Sequence, residues 1–243
     1  LRLILRQGVK FHDGSTFDAT DAKASIERIL DTKTAAAGRA NLTTITSMVA
    51  SGRTLTLNLS VPNVPILAAL DGVNMAMLSA DDIAAGKVGG TNKPNGTGAY
   101  KYVSWEPTQS VKLAANADYW MGEPKISDIT IRVIPTEASI LSAMNAGTIQ
   151  FGIISDPLIA KQVSSRKLKL YKTPALAYYA LQMNNKVAPF NDKNVRLAVQ
   201  CALDRQEVIN TALLGQGAVT GPITSPAYRS STTARACPKA DLA

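Results

Sequence analysis

Apolar and basic residues alternate over residues 1–6 (Leu-Arg-Leu-Ile-Leu-Arg), the period of a half-buried strand. After Gly8 and the turn His12-Asp13-Gly14 the period lengthens. Ala22, Ile26, Ile29 and Leu30 make the stripe of an amphipathic helix ending near Asp31. Asp18 can cap that helix, with Asp21 three residues on near the positive end of the dipole. Residues 45–50 and 54–59 flank Ser51-Gly52-Arg53 and predict a hairpin with Leu55, Leu57 and Leu59 on one face. Short helices are expected over 62–70 and 80–85, separated by a mostly apolar segment in which Asn74 is embedded.

The stretch 94–120 concentrates Gly, Pro and aromatic residues: both Trp and three of the seven Tyr lie in it. Runs at 99–105 and 110–113 around Glu106-Pro107-Thr108 predict a second hairpin. The expectation for this stretch is a packed crossover between two parts of the fold. Beyond it, strand, helix, strand, helix and strand are expected over 126–134, 136–146, 149–154, 157–163 and 168–171, punctuation that implies a helix-covered sheet. Gly147 is placed as the residue closing the helix over 136–146. A further strand over 177–183 precedes one long helix over 192–214, periodic in Val195, Val199, Ala202, Leu203, Ile209 and Leu213. The fold class expected is α/β.

At 243 residues the chain can bury a sizeable core, as one large domain or two small ones, and 46% hydrophobic with 18% charged residues is ordinary for a globular protein. Lys and Arg outnumber Asp and Glu by 26 to 18, a net charge of +8, but the cations are dispersed and not interleaved with stacking aromatics. A solvated basic surface is therefore expected, with no nucleic-acid partner. Two cysteines and a single histidine exclude a zinc site of Cys and His. Cys201 falls inside the long expected helix and reads as a buried apolar residue; a Cys201–Cys237 disulfide is open, and with it the redox compartment. Leu1 opens in mid-pattern and residues 232–243 stop without a closing element, so a piece of a longer chain is expected.

Catalytic constellations are absent from the pattern. His12 beside Asp13 is two-thirds of a triad in composition, but neighbours on a tight turn point apart, and a turn role is preferred. The carboxylate pairs Asp18–Asp21 and Asp81–Asp82 suit helix N-termini better than acid–base work. Gly96-Thr-Gly98 and Gly215-Gln-Gly217 lack the third glycine of a dinucleotide loop and the lysine of a phosphate loop. Strand ends carry more promise, because open α/β sheets bind ligands beyond them. Ser155 and Asp156 follow one expected strand, and Tyr178, Tyr179, Asn184 and Asn185 lie along or after another. Asn74 and Met75 would face across from them.

Several segments, in order, resemble the family 5 extracellular solute-binding proteins, the oligopeptide, dipeptide and nickel receptors of bacterial ABC importers. They are Leu5-Arg-Gln-Gly-Val-Lys-Phe-His-Asp-Gly14 with Phe17-Asp-Ala-Thr-Asp-Ala22; Pro94-Asn-Gly-Thr-Gly-Ala-Tyr100 with Trp105; Asn116-Ala-Asp-Tyr-Trp120; Ala143-Met-Asn-Ala-Gly147; Asn184-Asn-Lys-Val-Ala-Pro-Phe190; and Val195-Arg-Leu-Ala-Val-Gln-Cys-Ala-Leu-Asp-Arg205. The chain departs from the family's commoner pattern at Gly98-Ala-Tyr100, where Pro more often precedes Tyr.

The resemblance implies a two-lobed fold like that of the type II periplasmic binding proteins, closing on ligand like a hinged clamp. Residues 1–105 would form the family's accessory α+β subdomain, 106–222 the α/β core of an incomplete first lobe, and 223–243 the start of the second. On this reading the cleft-facing residues are Asn74, Met75, Tyr178, Tyr179, Asn184 and Asn185, with Tyr228 near the hinge, and they join Ser155 and Asp156 from the strand ends as the expected ligand contacts. The implied partners are a peptide or similar small solute and a membrane ABC permease, with the protein a monomer needing no cofactor and no metal. A periplasmic or extracellular setting follows, with lipid anchoring as an option. The alternative the family allows is the same domain used as a ligand sensor in a signalling or transcriptional regulator.

Overall fold

The computed structural model describes residues 1–90, 92–163, 168–173, 178–220, 228 and 237, and divides into two units, Leu1–Val133 and Ile134–Ala243. The first unit opens with β1 (Arg2–Ile4), followed by α1 (Ala19–Leu30). Asp18 caps α1: its carboxylate accepts from Thr20 N–H at 2.6 Å while the Asp21 carboxylate accepts from Asp18 N–H at 2.9 Å, the expected reciprocal box. β2 (Ile45–Ser51) and β3 (Thr54–Leu59) form the expected hairpin, and β3 sits in the middle of an antiparallel β1–β3–β2 sheet.

The stripe of α1 lies on this sheet. Ala22, Ile26 and Ile29 pack in one buried cluster with Leu55 and Leu57, joined by Leu42, Ile45, Ile66 and Met75. Each such large side chain removed from water contributes roughly 1.5–3 kcal/mol, so this cluster anchors the unit. α2 (Ile66–Leu70) is shorter than the expected 62–70, since Val64 precedes Pro65 and the residue before a proline is pushed out of the helical region. α3 (Ala80–Ala84) is fastened to α1 by polar atoms inside the fold. Asp21 Oδ1 accepts from Ala80 N–H at 2.9 Å, and Ser25 Oγ accepts from Leu78 N–H at 2.8 Å.

The second hairpin is β4 (Tyr100–Glu106) and β5 (Ser110–Ala115), extended by β6 (Asp128–Arg132) into an antiparallel β4–β5–β6 sheet. A register shift between Tyr102 and Ser104 leaves Val103 as an extra residue. That shift puts the cross-strand rows Tyr102–Leu113–Ile129 and Trp105–Val111–Ile131 on one face. The other face carries Lys101, Ser104, Glu106, Lys112, Asp128, Thr130 and Arg132. One side of the sheet is thus apolar and the other polar, as the alternation requires.

In the second unit, α4 (Glu137–Asn145) ends where expected, with Gly147 at φ 74° in the left-handed region that closes helices. α5 (Pro157–Lys161) is capped by Asp156. The long helix expected over 192–214 is two: α6 (Lys193–Ala202) and α7 (Arg205–Ala212), with Leu203 and Asp204 extended between them. Asp204 starts the second by accepting from Glu207 N–H at 2.9 Å, and the pattern Asp204-Arg-Gln-Glu207 in the sequence signals that restart. Cys201 is half-buried and joined to Cys237, with Cα atoms 5.1 Å apart, so the reading of Cys201 as a plain buried apolar residue is corrected.

The strands expected over 149–154 and 168–171 do not form, nor does that over 177–183 at its described residues, 178–183; Ala177 lies outside the described residues. Alternation says which side chains could share a face, but a ladder needs a neighbouring strand, and none runs beside these segments among the described residues. Instead, 149–154 runs over α4. A Cβ on Gly152 would collide with Ile140 Cγ2 and Met144 Sδ, while Phe151 stays 80% exposed. The βαβ reading is corrected with it: β6 pairs antiparallel with β5, and the described strands contain no parallel pair.

Candidate functional site

The stretch 94–120 is held by polar atoms from two other places in the first unit. His12 N–H donates to the Gly96 carbonyl at 2.8 Å, and Gly96 N–H donates back to His12 Nδ1 at 3.3 Å. His12 Nε2 lies 3.0 Å from the Gly98 carbonyl. These contacts fit one neutral tautomer, with the proton on Nε2. The same Gly98 oxygen accepts from Asn116 Nδ2 at 3.0 Å, and Asn116 is only 2% exposed. Asn95 Nδ2 bridges two carboxylates, Asp13 Oδ2 at 2.9 Å and Asp82 Oδ2 at 2.8 Å. The Ser15 hydroxyl and backbone N–H, together with Asn95, hold the Asp13 carboxyl below its ordinary range.

This arrangement is a joint. Both ring nitrogens of His12 face backbone groups, and among the described residues neither faces a serine, a cysteine or a carboxylate. The expected turn role of His12 therefore holds. Nearby, Arg6 Cζ stands 4.4 Å from the Trp120 ring centroid, and Tyr119 packs on Trp120 with centroids 5.1 Å apart. Tyr119 and Trp120 are thus engaged with each other and with Arg6, whereas Trp105 is 54% exposed.

The residues expected to meet ligand fall into separate groups. Asn74 is exposed on the 3-10 turn Val73–Met75, whereas Met75 is 5% exposed and points into the core against Gly38. In the second unit, Ser155 and Asp156 are fixed from beneath by Glu137. Its carboxylate accepts from Ser155 N–H at 3.0 Å and from Asp156 N–H at 2.8 Å. Asp156 Oδ1 is occupied with Leu158 N–H at 2.7 Å. Asn184 Oδ1 accepts from Lys186 N–H at 3.1 Å, shaping the turn that presents Asn185. Tyr178, Tyr179 and Tyr228 are exposed, Tyr179 to 88%.

Among the described residues no hydrogen bond joins Ser155 or Asp156 to Tyr178, Tyr179, Asn184 or Asn185. The side chains of Asn74, Ser155, Tyr178, Tyr179, Asn185 and Tyr228 make no hydrogen bond within those residues. The described residues contain no cluster of three or more His, Cys, Asp and Glu suited to a metal ion. They also contain no helix long and apolar enough to cross a membrane. Sequence reasoning passed over Asn95, Asn116 and Glu137. The first two stand inside quoted motifs, and Glu137 is an acid in the first turn of a helix, where a carboxylate commonly meets free N–H groups.

Comparison with solved structures places the fold among the type II periplasmic binding proteins. The oligopeptide-binding protein AppA of Bacillus subtilis, solved with a nonapeptide, matches 90% of this chain at 27% identity with a TM-score of 0.70. NikZ of Campylobacter jejuni, solved with Ni(L-His), matches 91% at 24% identity with a TM-score of 0.80, a likeness of fold alone. The α/β class expected from the sequence is therefore upheld. The chain belongs to the bacterial extracellular solute-binding proteins, family 5, whose middle-region profile matches residues 1–241.

Among curated relatives, AppA of Bacillus subtilis (strain 168) is 35% identical over 127 residues, 52% of this chain and 23% of AppA. The glutathione-binding protein GsiB of Salmonella typhimurium is 30% identical over 218 residues, 88% of this chain and 42% of GsiB. The chain spans less than half the length of these relatives, and 45% of the solved AppA and NikZ chains.

Proposed function

We propose that the protein is the substrate-binding component of a bacterial ABC importer, which captures a peptide or similar small solute between two lobes and delivers it to a membrane permease. The observation that carries this reading is the family match over residues 1–241, joined by relatives named for oligopeptide and glutathione binding. Residues 1–105 act as the accessory subdomain, 106–222 as the first-lobe core and 223–243 as the start of the second lobe. Ligand is met by Asn74, Ser155, Asp156, Tyr178, Tyr179, Asn184, Asn185 and Tyr228, with Met75 setting the Asn74 turn from the core. Exposed tyrosines, with the Asn74 and Asn185 amides that have no partner among the described residues, suit a peptide, since they offer flat apolar contact and hydrogen bonds to a backbone.

The protein works by capture and not by turnover. The engagement of both His12 ring nitrogens with backbone supports that. It acts as a monomer outside the cytoplasm, in the periplasm or at the envelope with a lipid anchor, and binds no nucleic acid. The disulfide Cys201–Cys237 supports the compartment independently of any relative, because such bonds persist in oxidising surroundings.

The test is thermal unfolding and calorimetric titration of the intact protein with tri- to pentapeptides, glutathione and Ni(II)–histidine. A ligand at 100 times its Kd stabilises by about 2.7 kcal/mol, a shift of several degrees. A shift with one class, lost in Tyr178→Ala or Asn185→Ala, supports the reading. No shift with any of them would remove it.

A further inference from the structure

We propose that Asn95 is a site of spontaneous deamidation that the His12–Gly98 joint guards, and that the carboxylate it yields holds the joint open. Asn95-Gly96 is the one Asn-Gly pair in the sequence. Asparagine is a thermolabile residue, and a following glycine has no side chain to obstruct its loss of ammonia. In that reaction Gly96 N gives up its proton and bonds to Asn95 Cγ. The Cγ–Nδ2 bond breaks, and Nδ2 takes up a proton and departs as ammonia. Water then opens the cyclic imide at either carbonyl, leaving aspartate or isoaspartate. Water is the one co-reactant consumed, and nothing is oxidised or reduced. Both residues are half-buried, so solvent reaches them once the joint opens.

The closed joint opposes each part of this step. The new N–Cγ bond takes the direction of the Gly96 N–H bond, and that N–H points to His12 Nδ1 at 3.3 Å. The Gly96 carbonyl accepts from His12 N–H at 2.8 Å, so the backbone is pinned on both sides of Gly96 Cα. The leaving nitrogen is engaged as well. Nδ2 donates to Asp13 Oδ2 at 2.9 Å and Asp82 Oδ2 at 2.8 Å, while Oδ1 accepts from Asp13 N–H at 3.3 Å. Reaction therefore proceeds from molecules in which the joint has opened, at a rate set by their fraction. The same contacts make the product a poor fit. Where Nδ2 donated to two carboxylates, a negative oxygen now stands at hydrogen-bond distance from both, and like charges repel. Isoaspartate in addition lengthens the backbone by a methylene, which shifts Gly96 against His12. Ammonia is lost to solvent, so the change runs one way.

The experiment ages the intact protein at mildly alkaline pH, both folded and in urea, and maps its tryptic peptides by mass spectrometry. The peptide spanning 88–101 carries Asn95, because Pro94 blocks cleavage after Lys93, and fragmentation separates conversion at Asn95 from conversion at Asn92. The expected result is conversion at Asn95 on the order of tenfold or more slower in the folded protein than in urea. His12→Phe, which removes the acceptor of Gly96 N–H, should convert roughly tenfold faster than wild type under folding conditions. Gly96→Ala should suppress conversion in both states. It fits the joint, since the added Cβ lies 3.6 Å from His12 Cε1, an ordinary contact. Converted protein, separated by anion exchange, should melt several degrees below the unconverted form, as should Asn95→Asp. Equal rates in folded and unfolded protein overturn the proposal, as do a chain that does not convert at Asn95 in urea, a His12→Phe rate equal to that of wild type, and a converted protein with an unchanged Tm. The comparison of folded with unfolded protein uses the wild-type chain, so a variant that fails to fold leaves the outcome readable.

Discussion

The imidazole of His12 reaches the Gly98 carbonyl at 3.0 Å across 86 positions of sequence. With the bond from Gly96 N–H to Nδ1, it makes the side chain a two-ended tie between the His12 turn and the loop that leads into β4. Replacing it by Phe keeps a ring and removes both ties. Each net hydrogen bond contributes about 0.5–1.5 kcal/mol, so His12→Phe should destabilise by about 1–3 kcal/mol in urea unfolding. An unchanged midpoint would mean that water replaces both bonds at no cost.

Asp13 sets a pH dependence with a definite sign. The Ser15 hydroxyl and then Ser15 N–H hold its carboxyl below the ordinary aspartate value, burial opposes them more weakly, and Asn95 adds a smaller lowering. A carboxyl depressed in the folded state adds stability that is complete above the unfolded value of about 3.9 and is lost as pH falls through the lower folded value. Urea midpoints followed from pH 6 to pH 2.5 should therefore fall less steeply at the acid end in Asp13→Asn than in wild type. Parallel curves would show that the depressed carboxyl has no net linkage to folding.

Asp21 serves two helices, closing the box at the start of α1 and accepting from Ala80 N–H at the start of α3. Asp21→Ala removes both acceptors and leaves the Ala80 N–H without this partner. The expected cost is about 2–4 kcal/mol, combining a lost cap with a lost tertiary bond. Amide exchange should rise at Ala80 as well as at Asp18. Exchange confined to Asp18 would show that α3 does not depend on the carboxylate.

Gly152 has no positive φ, so any cost of substitution there is one of space. A methyl on it meets Ile140 Cγ2 and Met144 Sδ on α4. Gly152→Ala should cost about 1–3 kcal/mol by overpacking. Trimming Ile140 to Ala should be less damaging in the Gly152→Ala background than in wild type, a coupling of roughly 0.5–2 kcal/mol. Strict additivity of the two would show that the segment can lift away from α4.

The first unit was legible because its elements are specified locally. The 3.6-residue stripe of α1, the Asp18–Asp21 box and the two-residue alternation of β2 and β3 each predict an element from its own residues. The second unit was less so. Residues 149–154 have the composition of a strand, but a strand depends on what lies beside it, and here α4 does. The division of 192–214 hinged on Asp204, whose capping pattern was outweighed by an apolar period running through it. The candidate site is a set of residue types chosen from the sequence, of which Asn74, Tyr178, Tyr179 and Asn185 stand exposed. Met75 was misjudged in character, since a methionine beside an exposed asparagine carries no signal of which way it points, and it points inward.

The joint around Gly98 bears on how such proteins diversify. His12, Asp13, Asn95, Gly96, Gly98 and Asn116, which fall inside the segments that resemble the family, are engaged with one another. They work as architecture and are silent about cargo. A frame built this way makes no demand on the solute, and relatives named for oligopeptide and for glutathione binding both match this chain.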